Sequence, residues 1–254
     1  MVRKDAQAIL VKDGRRLVVA FRGTTNASDV LDVMDTRLAT MTLVNGTTCR
    51  VHRGFYDQMM SIEQDITRDM RAVLSTADVD HVQFTGHSMG AAMAMLAMAH
   101  YTTNNILSPS ATSCDSFGSP QFADAAFFSH AMRGADCACI HMMDDVVPLM
   151  PMHPRFVYTD GALELTREGV ASCNRDARLQ HRRSTCPEFA QRLIKNGSLA
   201  QLVDTHSIMA YANALMALYR ATVFSGVMRK RCHTRNHQHA HPSSLHAGPP
   251  GERR

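Results

Sequence analysis

The sequence predicts an α/β protein, a mostly parallel central sheet flanked by helices on both faces. Three observations carry that expectation. Strand-length apolar runs alternate along the chain with segments whose apolar residues recur every three or four positions. Leu17–Phe21 is almost wholly apolar, as a strand buried on both faces would be. The run His81–Thr85 ends in Gly86-His87-Ser88-Met89-Gly90 and passes directly into the Ala- and Met-rich segment 91–96. Strand, tight turn and helix in direct succession form the basic unit of such sheets.

At 254 residues the chain fits one large α/β domain. An apolar fraction of 45% and a charged fraction of 20% describe a globular protein, and 18 Met with no Trp make Met the expected core filler. The net charge of +4 is uneven. Residues 229–254 hold six basic side chains against Glu252, so the body is close to neutral and offers no evident nucleic-acid-binding face. The expected division is a domain over 1–228 and a basic, disordered tail over 229–254. That tail keeps a weak connection to phosphates or anionic lipid. Seven Cys without regular spacing do not describe a disulfide framework. Cys137 and Cys139 read as buried thiols, and Cys173 with Cys186 as a pair that an oxidising compartment would close. The N-terminus shows no apolar h-region, and the longest apolar run, Ala91–Ala99, is too short to span a bilayer. The expectation is an intracellular location and no transmembrane segment.

In chain order, Ala6–Val11 and Arg16–Phe21 around Asp13-Gly14 predict a hairpin. Residues 26–49 are less regular. Ser28 or Asn26 would cap a short amphipathic helix carrying Val30, Leu31, Val33, Met34 and Leu38, with Asp29, Asp32 and Asp35 opposite. Phe55, Met59, Ile62, Ile66, Met70 and Val73 predict one helix. A strand over 79–85, the helix from Met89 to Tyr101 and a strand over 111–117 follow. Then come a helix over 122–132 and a strand over 136–143. Phe156–Tyr158 and Ala162–Leu165 predict a second hairpin around Asp160-Gly161. Residues 166–187, polar and Arg-rich, read as a surface excursion. A last helix begins near Asp204 or Thr205, with Ile208, Tyr211, Leu215, Leu218 and Tyr219 on one face.

Gly86-x-Ser88-x-Gly90 is the pattern of a nucleophile elbow, in which a serine hydroxyl is exposed on a sharp strand-to-helix turn. The flanking Gly86 and Gly90 would admit the close approach of strand and helix. Alone the pattern is weak, since at ordinary Gly usage it arises by chance about once in a dozen chains of this length. A serine nucleophile also needs a base and a carboxylate that orients it. Asp145, at the end of the strand 136–143, fits the acid, with its neighbour Asp144 a direct competitor. His206 fits the base. His181 is a rival base, His52 and His87 precede the acid in sequence, and the five tail His have no frame to fix a metal geometry. The oxyanion of such chemistry needs two donors. The N–H of Met89 is one, and Thr24, after the strand ending at Phe21, is the other.

These segments together resemble the class 3 lipases, the fungal triacylglycerol-lipase-like group of the α/β-hydrolase superfamily. The resemblance rests on Val19-Ala20-Phe21-Arg22-Gly23-Thr24, Val51-His52-Arg53-Gly54-Phe55, Thr85–Gly90, Ser116-Phe117-Gly118-Ser119-Pro120, Asp145–Pro151 and Asp204-Thr205-His206-Ser207, in that order over roughly residues 6–220. It implies an α/β-hydrolase fold with an N-terminal hairpin and a short helical lid within residues 26–49. It implies a triad of Ser88, Asp145 and His206, an oxyanion hole of Thr24 and Met89, and no metal or cofactor. The implied activity is a lipase acting on acylglycerol esters at a lipid–water interface. Phospholipase A1 or diacylglycerol lipase activity is an alternative, and a catalytically inactive lipid-binding protein is an alternative of another class.

Overall fold

A computed structural model of the chain describes residues 6–23, 37–151, 153–157, 162–167, 171–173 and 206–225, with the side chains of 171–173 and 220–225 excepted. Thr24, residues 26–36 of the segment expected to hold the lid, Asp160-Gly161, His181, Cys186 and the tail over 229–254 lie outside the described residues.

The hairpin at the start forms as expected. β1 (Ala8–Asp13) and β2 (Arg16–Phe21) pair antiparallel, with Gly14 at φ +58° in the turn. β3 (Leu38–Thr42) and β4 (Thr48–His52) form a separate two-stranded hairpin. Its turn is held by Asn45, whose side chain accepts a hydrogen bond from the Thr47 N–H at 3.0 Å. Leu38 therefore belongs to a strand and not to the amphipathic helix assigned to it.

α1 (Arg53–Ser61) is capped by His52, whose Nδ1 accepts from the Phe55 N–H at 3.3 Å. α2 (Glu63–Thr76) follows at once. The single helix expected over 55–73 is thus two, broken at Ile62, whose φ of −116° and ψ of 4° are not helical. The break lets α1 lie on the helix Met89–Thr103 while α2 turns toward β1. β5 (His81–His87) then leads into α3 (Met89–Thr103). Nearly every α3 residue is buried, as befits a helix apolar all round. Its Gly and Ala residues allow close approach, while Met93, Met95, Leu96 and Met98 fill the space between sheet and α1.

β6 (Thr112–Phe117) and β7 (Asp136–Met142) continue the sheet. Between them the expected helix over 122–132 shrinks to a five-residue π turn, Phe127–Ala131. The reason is backbone hydrogen bonding. The Phe122 carbonyl accepts from His52 N–H, Asp124 N–H donates to the Arg50 carbonyl, and Ala123 bridges Val51. These groups are committed to the β3–β4 hairpin and cannot start a helix.

β8 (Leu163–Leu165) adds parallel to β7, and β9 (Ala171–Cys173) adds antiparallel to β8. The second hairpin therefore joins β8 to β9. Phe156 and Val157 are not in a strand, and the segment read as a surface excursion contains β9. The last helix, α4 (Ile208–Ser225), is capped by Ser207 Oγ, which accepts from Met209 and Ala210 N–H at 3.2 and 3.3 Å.

The sheet runs β1-β2-β5-β6-β7-β8-β9, parallel from β2 to β8. Neighbouring residues of β7 show that helices cover both faces, since successive side chains on a strand point opposite ways. Cys139 meets Met95 of α3, while Ile140 and Met142 pack with Tyr211 and Ala214 of α4. This cover is uneven. On β2, Leu17, Val19 and Phe21 are buried but Val18 and Ala20 only half so, which corrects the expectation of two buried faces. The neighbours on that second face are polar: Gln83 donates to Asp115 at 2.6 Å and Thr85 to the Asp115 carbonyl at 2.7 Å. Cys49, Cys114, Cys137 and Cys139 are not in disulfides, with Cys137 half-buried rather than buried. No helix among the described residues is long and apolar enough to cross a membrane.

Candidate active site

The C-terminal ends of β5, β6 and β7 converge with the start of α4. This is where a parallel sheet presents a site.

Ser88 stands between β5 and α3 at φ 59° and ψ −130°, a strained backbone for a residue with a side chain. Its N–H donates to the Phe117 carbonyl at 2.9 Å, and its carbonyl accepts from Ala91 N–H at 3.0 Å. These bonds fix the strained turn at both ends. The glycines explain how so sharp a turn fits. A Cβ on Gly86 would overlap the carbonyl of Gly90, and one on Gly90 would overlap the carbonyl of Phe21. Gly23 lies against the His87 carbonyl and the Ser88 Cβ, so the end of β2, just before Thr24, sits beside the serine. The Ser88 hydroxyl makes no capping bond to α3. Met89 opens α3, and the first N–H groups of a helix are those without intrahelical partners. This is the chemistry expected of an anion-stabilising donor.

Asp145 follows the end of β7 and is buried. Its Oδ1 accepts from the Val147 N–H at 2.9 Å. Its Oδ2 faces His206 Nδ1 at 2.8 Å and accepts from the Tyr211 hydroxyl at 2.6 Å. An ionised carboxylate only accepts, so Nδ1 of His206 carries the proton and Nε2 presents its lone pair. That Nε2 is buried without a hydrogen-bond partner, so the link from His206 to Ser88 is not closed in this structure. Apo sites often hold such links long and tighten them with substrate. The His206 ring lies against His87, the residue before Ser88, with ring centroids 4.6 Å apart. Asp144, the sequence competitor of Asp145, turns outward, where it is exposed and pairs with Arg167 at 3.0 Å.

Half-buried His87 and buried His141 flank the pair. Burial pushes His87 down to about 4, helped by the neighbouring His206 and opposed by Asp145 and the His206 main chain. Burial likewise pushes His141, on β7, down to about 4 against the pull of Asp145. Both stay neutral at physiological pH.

The structure brings Ser88, Met89, Asp145, His206 and both elbow glycines to one edge of the sheet. Thr24 and His181 are outside the described residues. His52 serves as a helix cap. Sequence reasoning missed Tyr211 as a site residue. It appeared only as one apolar position of the last helix, and nothing local marks its hydroxyl as aimed at a carboxylate. The one sequence signal was Gly118, which Tyr211 explains: a Cβ there would lie 2.8 Å from the Tyr211 hydroxyl and 3.1 Å from Asp145 Oδ2. Among the described residues, no group of three or more His, Cys, Asp or Glu could hold a metal ion.

Residues 18–154, more than half of the chain and including the elbow and Asp145, match the lipase (class 3) family. The chain belongs to the class 3 lipase family. Among curated relatives, phospholipase A1-II 7 of Oryza sativa subsp. indica is 27% identical over 184 residues, which are 60% of this chain and 44% of the relative. Among solved structures, lipase II of Rhizopus niveus superposes with a TM-score of 0.56 at 22% identity, covering 65% of this chain and 63% of that one. A triacylglycerol lipase described as having a serine protease triad as its catalytic centre superposes with a TM-score of 0.54 at 20% identity, over 65% and 62%. At these identities the superpositions establish the α/β-hydrolase-like fold of this class 3 lipase-family chain. The chain spans less than half of the plant relative and under two thirds of either solved lipase.

Proposed function

We propose that this class 3 lipase-family protein is a serine carboxylester hydrolase acting on acylglycerol esters. The single observation that carries the reading is the contact of buried Asp145 with His206, 2.8 Å apart, set beside an elbow that holds Ser88 in a strained conformation. In this reading Ser88 Oγ attacks the ester carbonyl while His206 Nε2 takes its proton. The Met89 N–H, with Thr24 as second donor, stabilises the oxyanion. The tetrahedral intermediate collapses, the C–O bond to the alcohol breaks, and the alcohol leaves with the proton from His206. Water then attacks the acyl-enzyme, again losing a proton to His206, and the carboxylic acid leaves as Ser88 Oγ recovers a proton. Asp145 holds the ring tautomer and stabilises the imidazolium. Family membership and the relative described as a triacylglycerol lipase support the acylglycerol choice.

A fluorophosphonate probe tests the chemistry. Labelling at Ser88 is expected in the full chain, abolished in Ser88→Ala and strongly slowed in His206→Ala. Full labelling without His206 sinks the assignment of the base. Absence of any ester turnover by the unaltered chain would favour an inactive lipid-binding protein instead.

A second reading, phospholipase A1 activity, draws on the rice relative of that name. Fatty acid released from a triacylglycerol emulsion and from phosphatidylcholine vesicles, measured side by side, separates the two. A strong preference for the vesicles replaces the first reading by the second.

A further inference from the structure

We propose that Tyr211 is a positioning residue for the acid–base pair, sharing one oxygen of Asp145 with His206 and fixing the helix that follows His206 to the strand that precedes Asp145. The inference rests on the proposed roles of Ser88, Asp145 and His206.

The geometry is specific. Tyr211 is fully buried, and its hydroxyl donates to Asp145 Oδ2 at 2.6 Å. The same hydroxyl accepts from the Met142 N–H, the last residue of β7, at 3.1 Å. His206 Nδ1 reaches that same Oδ2 at 2.8 Å. One phenol thus ties α4, which begins two residues after His206, to the end of β7, three residues before Asp145. A hydroxyl aimed at a carboxylate oxygen draws charge from it, so Tyr211 weakens the pull of Asp145 on the His206 imidazolium. Gly118, at φ +57°, leaves the space in which the hydroxyl sits. The other titratable groups around the pair, among the described residues, are His87 from β5 and His141 from β7, with the Asp144–Arg167 ion pair on the outside. The two histidines remain neutral across the working range, so they do not obscure a change at His206.

Tyr211→Phe keeps the ring and removes the hydroxyl. In the full chain kcat for a soluble ester is expected to fall about tenfold with KM little changed. The acid limb of the kcat/KM profile is expected to move to higher pH by about half a unit, because the unshielded carboxylate holds the imidazolium more strongly. Tyr219→Phe, on the exposed side of the same helix, leaves both unchanged. Removing the hydroxyl leaves the Met142 N–H without that partner, so a variant that keeps the donor guards against misfolding. With 3-fluorotyrosine in place of Tyr211 the phenol is more acidic and donates more strongly, and the acid limb is expected to move the other way. An acid limb that stays in place in both variants overturns the proposal. The downfield Nδ1–H resonance of His206, titrated in Ser88→Ala, reads the same shift without turnover. A shift there with no effect on hydrolysis would count against the triad reading and not against the bond between Tyr211 and the pair.

Discussion

The two halves of the candidate site are held by different means. The half around Ser88 is built from backbone. Its position follows from three glycine approaches, from Ser88 N–H bonding to Phe117 and from the strand-to-helix reversal itself. The half around Asp145 is built from side chains. An imidazole just before α4 and a phenol from α4 converge on one oxygen of the carboxylate that follows β7. Backbone construction ties Ser88 to the fold, so disturbing it disturbs both. Side-chain construction lets the Asp145–His206 pair be altered while the sheet stands.

The contrast predicts which substitutions separate activity from stability. The largest effect is expected from Asp145→Asn. The amide keeps the volume and the bond from Val147, but it no longer enforces the Nδ1–H tautomer of His206. Ester turnover is expected to fall by about 10⁴-fold while the fold survives. Asp144→Asn, one residue away, loses only an exposed ion pair with Arg167 and is expected to stay within about twofold. Rates for the two variants, measured beside thermal melts, check this. Equal losses would mean that the wrong acid has been assigned. Next comes Gly86→Ala. Its Cβ meets the Gly90 carbonyl, a backbone atom that moves only if α3 moves. A cost of about 3 kcal/mol is expected, with Tm and activity falling together. An unchanged melt would remove the claim that backbone approach sets the elbow.

The same contrast decides what the sequence could say. The elbow was legible because its physics is local: Gly86, Ser88 and Gly90 lie within one turn, and the small residues of α3 advertise close packing. The fold class was legible because β2, β5, β6 and β7 each appear as a run of strand length. Asp145 could be ranked by its place after a strand, but not separated from Asp144, because which of two adjacent carboxylates faces inward depends on Val147, His206 and Tyr211. Tyr211 itself was invisible, being a helix position whose hydroxyl acquires a partner only when α4 packs on β7. The helix assigned to 122–132 failed for the same reason, since its first backbone groups are taken by Arg50 and His52 from a distant hairpin. Periodicity likewise carried one helix through Ile62, where packing against α3 and β1 makes two.

The smallest effect concerns two histidines, half-buried His87 and buried His141, one in each half. His87 belongs to the elbow and His141 to the strand leading to Asp145. Burial lowers both to about 4, below their unfolded value near 6.5. Between those values the unfolded chain binds protons that the folded chain refuses, so stability falls as pH drops from about 6.5 toward 4. Above about 6.5 neither state takes up the proton and the contribution is constant. By pH 5.5 the loss is about 1 kcal/mol for each histidine. Denaturant melts at pH 7.0 and 5.5 should show it, and His141→Asn should reduce the difference by about half without removing a group that touches substrate. If the pH dependence survives intact in that variant, the acid sensitivity belongs to His87 and the elbow, or to carboxylates elsewhere. The side-chain half would then be the more robust of the two toward protons, even though it contains the groups proposed to exchange them.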